Sequence, residues 1–355
     1  QDLPFKRYQS CQVWRYEGKA TRPFFRGREF HWIEAHNVFA SREDAEKQVK
    51  EDMETTREFL YDELAMDFIF FQRPEWDKFA GAIHTYAADA LMPSGKVLQL
   101  PSTHLLGTTF SEPFNVYYTD NKGQKKLGHI TCYGPAISRI YGALICLHSD
   151  NKGLKLPFKI APKHIVIVPI LFDKTRELVL KKSFELKDDL DQYKVHVDDR
   201  SDVSPGYKFN EWEMKGVPIR IEIGPRDIEK DQVVVFRRDL ETKEPVKLVD
   251  LPTYIKEIAG SFTKNLRDAA AKYFQGNIVD ATSVDSVRKA IEKNQIVKVS
   301  WCSTDLDGEK CAAVIEKEAQ AEVRGIRIDE NEVPRGKCVV CNKNAKAVVY
   351  IARSY

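Results

Sequence analysis

Apolar and polar positions along the chain fall into three regimes. The first alternates with period two. Val13-Trp14-Arg15-Tyr16-Glu17, the basic stretch Gly18-Lys19-Ala20-Thr21-Arg22-Pro23, and Phe24 to His36 predict two strands folded back over a turn. Alternation would place Arg15 and Glu17 on one face, and Phe30, Trp32, Glu34 and His36 on one face of the returning strand. Ser41 to Tyr61 reads as an amphipathic helix capped by Ser41, with Asp44 three positions on. Phe68 to Phe71 predicts a short strand, and Tyr86–Ala90 with Lys96–Leu100 a hairpin about Pro93-Ser94-Gly95. The second regime opens after a linker at Leu156 to Pro162. Ile165 to Ile170 is a continuous apolar run, the mark of a strand covered on both faces. Helical stretches (Glu177–Leu190 and one through Glu211–Met214) then alternate with strands at Tyr193–Val197, Val217–Ile223 and Val233–Arg237, which implies a compact α/β domain. In the third regime a long amphipathic helix, Tyr254 to Phe274, leads to a stretch carrying four cysteines.

The early hairpin carries the richest chemistry. One face offers a guanidinium, a carboxylate, aromatic rings and an imidazole. A guanidinium grips a phosphate with two parallel hydrogen bonds, a ring stacks on a base, and a carboxylate accepts from an exocyclic amine. That set suits a nucleotide. A hairpin with solvated charges and core aromatics fits the same pattern.

The length of 355 residues allows two or three domains. The 55 basic and 53 acidic residues leave a net charge of +2, so nucleic-acid binding would rest on local patches rather than an overall field. No apolar run reaches the length of a membrane span and no signal peptide opens the chain, which points to the cytoplasm. Three of the seven cysteines are scattered. Cys302, Cys311, Cys338 and Cys341 are gathered, the last two as Gly336-Lys337-Cys338-Val339-Val340-Cys341-Asn342. A Cys-x-x-Cys knuckle with a second, wider pair offers the closed four-thiolate set of structural zinc. Free buried thiols and disulfides are the competing readings, the latter disfavoured in a reducing compartment.

Arg15-x-Glu17, the basic loop and Arg28-Glu29-Phe30 resemble motif 2 of class II aminoacyl-tRNA synthetases. The wording from Thr21 to His36 resembles the prolyl-tRNA synthetases of archaeal and eukaryote-like type, and the resemblance extends to Tyr355. Cys132-Tyr133-Gly134-Pro135-Ala136-Ile137-Ser138-Arg139 resembles motif 3, with four residues rather than three between Gly134 and Arg139. Motif 1 and the Thr-x-Glu proline loop, which the family carries ahead of motif 2, are not visible.

The resemblance implies an α+β catalytic domain with an antiparallel class II sheet (1–160), an α/β anticodon-binding domain (161–275) and a small α+β zinc-binding C-terminal domain (276–355). It implies formation of prolyl-adenylate from proline and ATP, with Mg2+ bridging the phosphates, and transfer to tRNA(Pro) by a homodimer. Arg15 and Arg139 would be the catalytic cations. ATP would meet Arg15, Glu17, Arg26, Phe30, Gln99, Ser102 and Arg139. Proline would meet Trp32, Glu34, His36, Phe79, His104 and Ser138. Anticodon contacts would come from Lys208, Glu211, Glu213, Lys215, Arg220 and Arg226, polar groups expected near strand ends. A synthetase-like module that binds tRNA without chemistry, and a glycyl, threonyl or histidyl enzyme, are the alternatives.

Overall fold

The computed structural model describes residues 2–18 and 20–355, so Lys19 of the expected turn lies outside it. In chain order the elements are β1 (Phe5–Trp14), β2 (Glu29–Phe39), α1 (Arg42–Arg57), β3 (Ile69–Gln72), β4 (His84–Leu91), β5 (Lys96–Gly107), β6 (Tyr117–Thr119), β7 (Lys125–Leu127), β8 (His129–Gly134) and α2 (Ile137–His148). There follow β9 (Ile165–Pro169), α3 (Arg176–Asp189), β10 (Val195–Val197), α4 (Pro205–Met214), β11 (Ile219–Ile223), α5 (Pro225–Ile228), β12 (Gln232–Arg237), β13 (Thr242–Lys247) and α6 (Leu251–Gly276). The last are β14 (Ile278–Asp280), α7 (Val284–Glu292), β15 (Ile296–Trp301), α8 (Glu309–Ala319), β16 (Glu322–Arg327) and β17 (Ala347–Ser354).

The chain forms two compact units. One holds the residues up to 59, 67–143 and 272–355; the other holds 60–66 and 144–271. The first is built on a ten-stranded sheet of order β1-β2-β8-β5-β4-β3-β16-β17-β15-β14. Helix α1 forms where expected: Ser41 accepts from the Asp44 amide, and Ala45, Val49, Asp52 and Thr56 recur at helical spacing as its buried stripe. The buried Asp52 accepts from Thr103 on β5 at 2.8 Å. The expected C-terminal domain has its own core around Trp301, Ile315, Val349 and Ile351. It nevertheless shares a unit with the N-terminal segment, because β16 pairs with β3 and the end of β17 pairs with β5. A second cluster, which includes Ile69, Phe71, Val97, Phe274 and Tyr350, packs across that join.

The second unit is a five-stranded sheet of order β10-β9-β11-β12-β13. Ile165 and Ile167 of β9 join a cluster with Val179, Ile219, Ile255 and Phe262. Val166 and Val168 face the other way, onto Trp212 and Val217. Two covered faces explain the unbroken apolar run. Strand β13 was not foreseen: it is an edge strand with only Val246 buried, so it lacks the alternation a strand usually shows.

The first expected strand needs correction. Val13–Glu17 is not a strand; β1 ends at Trp14, where it faces Glu29. One further bond, Arg15 N–H to the Arg28 carbonyl at 2.9 Å, closes the ladder, and the described residues between Arg15 and Arg28 belong to no strand of the sheet.

Candidate active site

Because Arg15 and Glu17 leave the strand, they meet through an ion pair rather than along a shared face. The Glu17 carboxylate is buried. Arg26 reaches it with Nε at 2.9 Å and Nη2 at 3.0 Å, and Arg15 Nη2 lies at 3.3 Å. This carboxylate holds two cations of the loop in place. Arg15 also lies over the Phe30 ring, 5.3 Å from its centroid, and Phe30 meets Trp32 edge to face at 5.6 Å.

Arg139 enters from the first turn of α2. Its Nε donates to the Phe25 carbonyl at 3.1 Å and its Nη1 to the Gln99 carbonyl at 2.9 Å. Burial, and then the charges of Arg15 and Arg26, hold its pKa below the usual guanidinium value. A cavity of about 430 Å³ opens between these groups, lined by Arg15, Phe25, Phe30, Trp32, Glu34, Gln99 and Arg139 among others. A second cavity of about 250 Å³ shares Arg15, Gln99 and Arg139 and adds Arg26, Arg324, Ser354 and Tyr355. Arg15, Arg26 and Arg139 beside the single Glu17 carboxylate, with Arg324 on the second cavity, make this wall a site for an anion.

Of the four residues between Gly134 and Arg139, Pro135 and Ala136 extend the sheet and Ile137 and Ser138 open α2. The β2–β8 ladder pairs Ala35 with Tyr133 and runs on in the same register, through Ile33 N–H to the Pro135 carbonyl and a bridge between Trp32 and Ala136. Ser138 accepts from the His31 amide at 3.0 Å, so its hydroxyl serves β2. Gly134 lies under the Trp32 ring, with no room for a Cβ. Gly134→Ala is therefore expected to cost roughly 1–3 kcal/mol of stability, read as a lower denaturation midpoint, and to push Trp32 into the larger cavity.

A bulge on β5 aligns the remaining candidates. Between the pairs Asp89–Gln99 and Ala87–Ser102, β5 spends one residue more than β4, at Leu100-Pro101. The extra residue returns Gln99, Ser102 and His104 to one face. His104 stands beside Cys132 on β8, and Cys132 beside His36 on β2, one row across three strands. Thr85 accepts from the Phe79 amide at 2.9 Å, and the hydroxyls of Thr85 and Ser102 lie within hydrogen-bond distance of His104 Nδ1 and Nε2, at 3.0 and 3.2 Å. Burial, partly opposed by Glu34, lowers the His104 pKa to about 4. The ring is neutral at physiological pH and orients by hydrogen bonds. Its unfolded form binds a proton near pH 6.5 and its folded form does not, so His104 makes stability fall as pH drops from about 6.5 to 4. A His104→Gln variant is expected to flatten that limb of the denaturation-midpoint profile.

Phe79 tilts against His104 at 5.1 Å with its ring half exposed. Glu34 accepts from Cys132 Sγ at 3.6 Å and lies 3.5 Å from His36 Nε2. Burial first, then Glu34, pushes the Cys132 thiol up to about 12. The cavities thus gather Arg15, Arg26, Phe30, Trp32, Glu34, Gln99 and Arg139. Glu17 is buried against Arg15 and Arg26, His36 and His104 flank Cys132 in the row beside Glu34, and Ser102 and Phe79 lie against His104. Cys132, Thr85, Phe25 and Arg324 were not foreseen. Phe25 and Cys132 lay inside the quoted motifs, whereas Thr85 and Arg324 carry no local signal.

In the second unit the expected strand-end cations need revision. Lys208, Glu211 and Glu213 lie on α4, Lys215 caps it, Arg220 is within β11 and Arg226 is on α5. Lys208 is buried and donates to the carbonyls of Asp198 and Arg200 at 2.8 and 2.5 Å, a prop rather than an outward cation. Arg220 is also buried, between the Phe209 and Phe236 rings, and pairs with Glu213 and Glu222. Glu211 bonds Arg200 and Lys215, both at 2.6 Å.

The four clustered cysteines converge. Their Sγ atoms all lie within 4.8 Å of one another, with Cys302 and Cys311 at 3.7 Å. That distance is far too long for a disulfide. It matches the edge, roughly 3.8 Å, of a tetrahedron of thiolates about a zinc ion. Gly336 and Asn342 adopt positive φ on either side of the knuckle, and the Lys343 amide bonds to Cys341 sulfur, lowering that thiol to about 7. Four thiolates could hold one divalent soft cation here.

Three family models match in order: the tRNA synthetase class II core domain (G, H, P, S and T) over residues 1–148, an anticodon binding domain over 164–258, and the prolyl-tRNA synthetase C-terminal domain over 284–355. The whole chain is 45% identical to a proline–tRNA ligase of Thermofilum pendens, spanning 73% of that protein. It is 41% identical to one from Methanobrevibacter smithii and 38% identical to one from Pyrococcus abyssi, spanning 75% and 74% of them. On this evidence the chain belongs to the prolyl-tRNA synthetase family of class II aminoacyl-tRNA ligases.

Proposed function

We propose that the larger cavity binds ATP and proline side by side and that the chain joins them as prolyl-adenylate, then passes the prolyl group to tRNA(Pro). The observation that carries this is the meeting of Arg15 and Arg139 with Phe30, Trp32 and Glu34 around one space. In-line attack of a carboxylate on the α-phosphate needs positioning and charge neutralisation above all. Arg15, already fixed over Phe30, would hold the α-phosphate and the attacking carboxylate. Arg26 and Arg139 would face the outer phosphates, and Phe30 would stack on adenine. Glu17, which keeps Arg15 and Arg26 in place, would also accept from the adenine amine. Mg2+ takes oxygen ligands and would be held chiefly by the phosphates, because this wall is built of guanidiniums.

Trp32 would close the proline ring from one side. Glu34, kept in position by Cys132 and His36, would hold the imino cation, with neutral His104 and the exposed Phe79 ring beyond. Ser102 would support His104, and Ser138 would support β2. Zinc on the four cysteines would be structural, since four thiolates leave no open position. Glu211, Glu213, Lys215 and Arg226 remain the proposed anticodon contacts, with Lys208 and Arg220 shaping α4, which carries the first three. A homodimer and a reducing compartment accord with the family and with seven free cysteines.

The test is ATP–pyrophosphate exchange with each of the twenty amino acids. Proline alone should support it at full rate. Exchange with none, alongside retained tRNA binding, would identify a non-catalytic module instead.

A further inference from the structure

Asp89 on β4 is fully buried and stands directly across the ladder from Gln99 on β5. Two guanidiniums converge on it. Arg73 donates from Nη1 and Nη2 to its two oxygens at 3.0 and 2.7 Å, and Arg324 of β16 donates from Nε at 2.8 Å. Burial favours the neutral acid, but the two cations outweigh it and keep Asp89 below the usual carboxylate range. Arg73 is buried and lines neither cavity, yet it has hydrogens to spare. Nη1 also donates to the Arg324 carbonyl at 2.7 Å, and Nη2 to Gln99 Oε1 at 3.1 Å.

That last bond fixes which way the Gln99 amide points. A guanidinium carries donors only, so Gln99 must turn its oxygen to Arg73 and its NH2 away from it. Its backbone carbonyl is meanwhile taken by Arg139. Both oxygens of Gln99 are therefore engaged, and what it offers the cavity it lines is a pair of N–H donors.

We infer that Arg73, anchored by Asp89 and Arg324, is a positioning residue for nucleotide binding: it locks the Gln99 amide so that N–H donors face the oxygen acceptors of ATP. The flipped amide would aim a carbonyl at those oxygens, and Arg73 removes that state. This rests on the proposed use of the cavity for ATP. It also gives Arg324, from the segment with the cysteine cluster, a part in nucleotide recognition.

A double-mutant cycle on the full-length protein tests it, read as KM for ATP in proline-dependent pyrophosphate exchange. Gln99→Met is expected to raise KM for ATP on the order of tenfold. Arg73→Lys keeps a cation beside Asp89 but loses the fork, and should raise it severalfold, with KM for proline unchanged. In the Gln99→Met background Arg73→Lys should add nothing. An Arg73→Lys effect of equal size in both backgrounds would show a general structural role and overturn the inference. Gln99→Glu decides independently should Arg73→Lys fail to fold. It keeps an acceptor for Arg73 but presents oxygen to the cavity, so KM for ATP must rise at least as far as in Gln99→Met. Wild-type KM in Gln99→Glu overturns the inference. If Gln99→Met is silent while Arg15→Ala abolishes exchange, the inference fails and the cavity reading stands; if both are silent, the cavity reading itself fails.

Discussion

Arg15→Ala should lower proline-dependent ATP–pyrophosphate exchange at least about a hundredfold, mostly in kcat. Arg15 lines both cavities and is held from two sides, by the Glu17 carboxylate and by the Phe30 ring. A guanidinium fixed before the substrate arrives costs no reorganisation when charge moves onto the bridging oxygen, which is where preorganised donors act most strongly. Lysine has a charge but no planar fork, so Arg15→Lys should recover only a small part of the loss. Half of the Arg15 side chain faces solvent, so the variant's denaturation midpoint should stay near wild type, separating lost chemistry from lost folding. Full exchange in a folded Arg15→Ala protein would refute the role.

Cys338→Ser should release zinc and destabilise the first unit by several kcal/mol. Structural zinc sites in small domains supply roughly 10–16 kcal/mol of apparent binding free energy, and removing one thiolate of four forfeits a large share of it. The effect should not stay local. Cys302 follows β15 directly, and β15 pairs with β17, whose far end lies against β5 beside Gln99. Phe25 packs edge to face on Tyr355 at 4.8 Å, so the loop carrying Arg26 also leans on this segment. Metal analysis should give one zinc per wild-type chain and none in the variant, with exchange activity falling alongside the midpoint. A variant that loses zinc yet keeps both would show the cluster to be dispensable.

The sequence was most legible where chemistry repeats at short range. The cap at Ser41, the buried run of β9 and the paired spacing of Phe30, Trp32 and Glu34 needed only local pattern. The limit of β1 was misjudged because Arg15 and Glu17 continue a polar–apolar alternation while their side chains bind each other and Arg26 across a loop. Lys208 and Arg220 misled for a related reason: cations read as surface groups when nothing in the neighbouring sequence announces the carbonyls and rings that bury them. Arg73, Asp89 and Arg324 form one contact from three distant segments. No window of residues could have shown it.

The pairing of β3 with β16 and of β5 with β17 has a consequence for biosynthesis. Arg73 and Arg324 are 251 positions apart, so at ordinary ribosomal speeds the second partner emerges roughly 12 to 50 s after the first. Throughout that interval β3 presents a bare edge to any other extended chain. A chain stalled within α8 would hold β3 without its β16 partner, leaving an open strand edge as a template for aggregation rather than a slower enzyme.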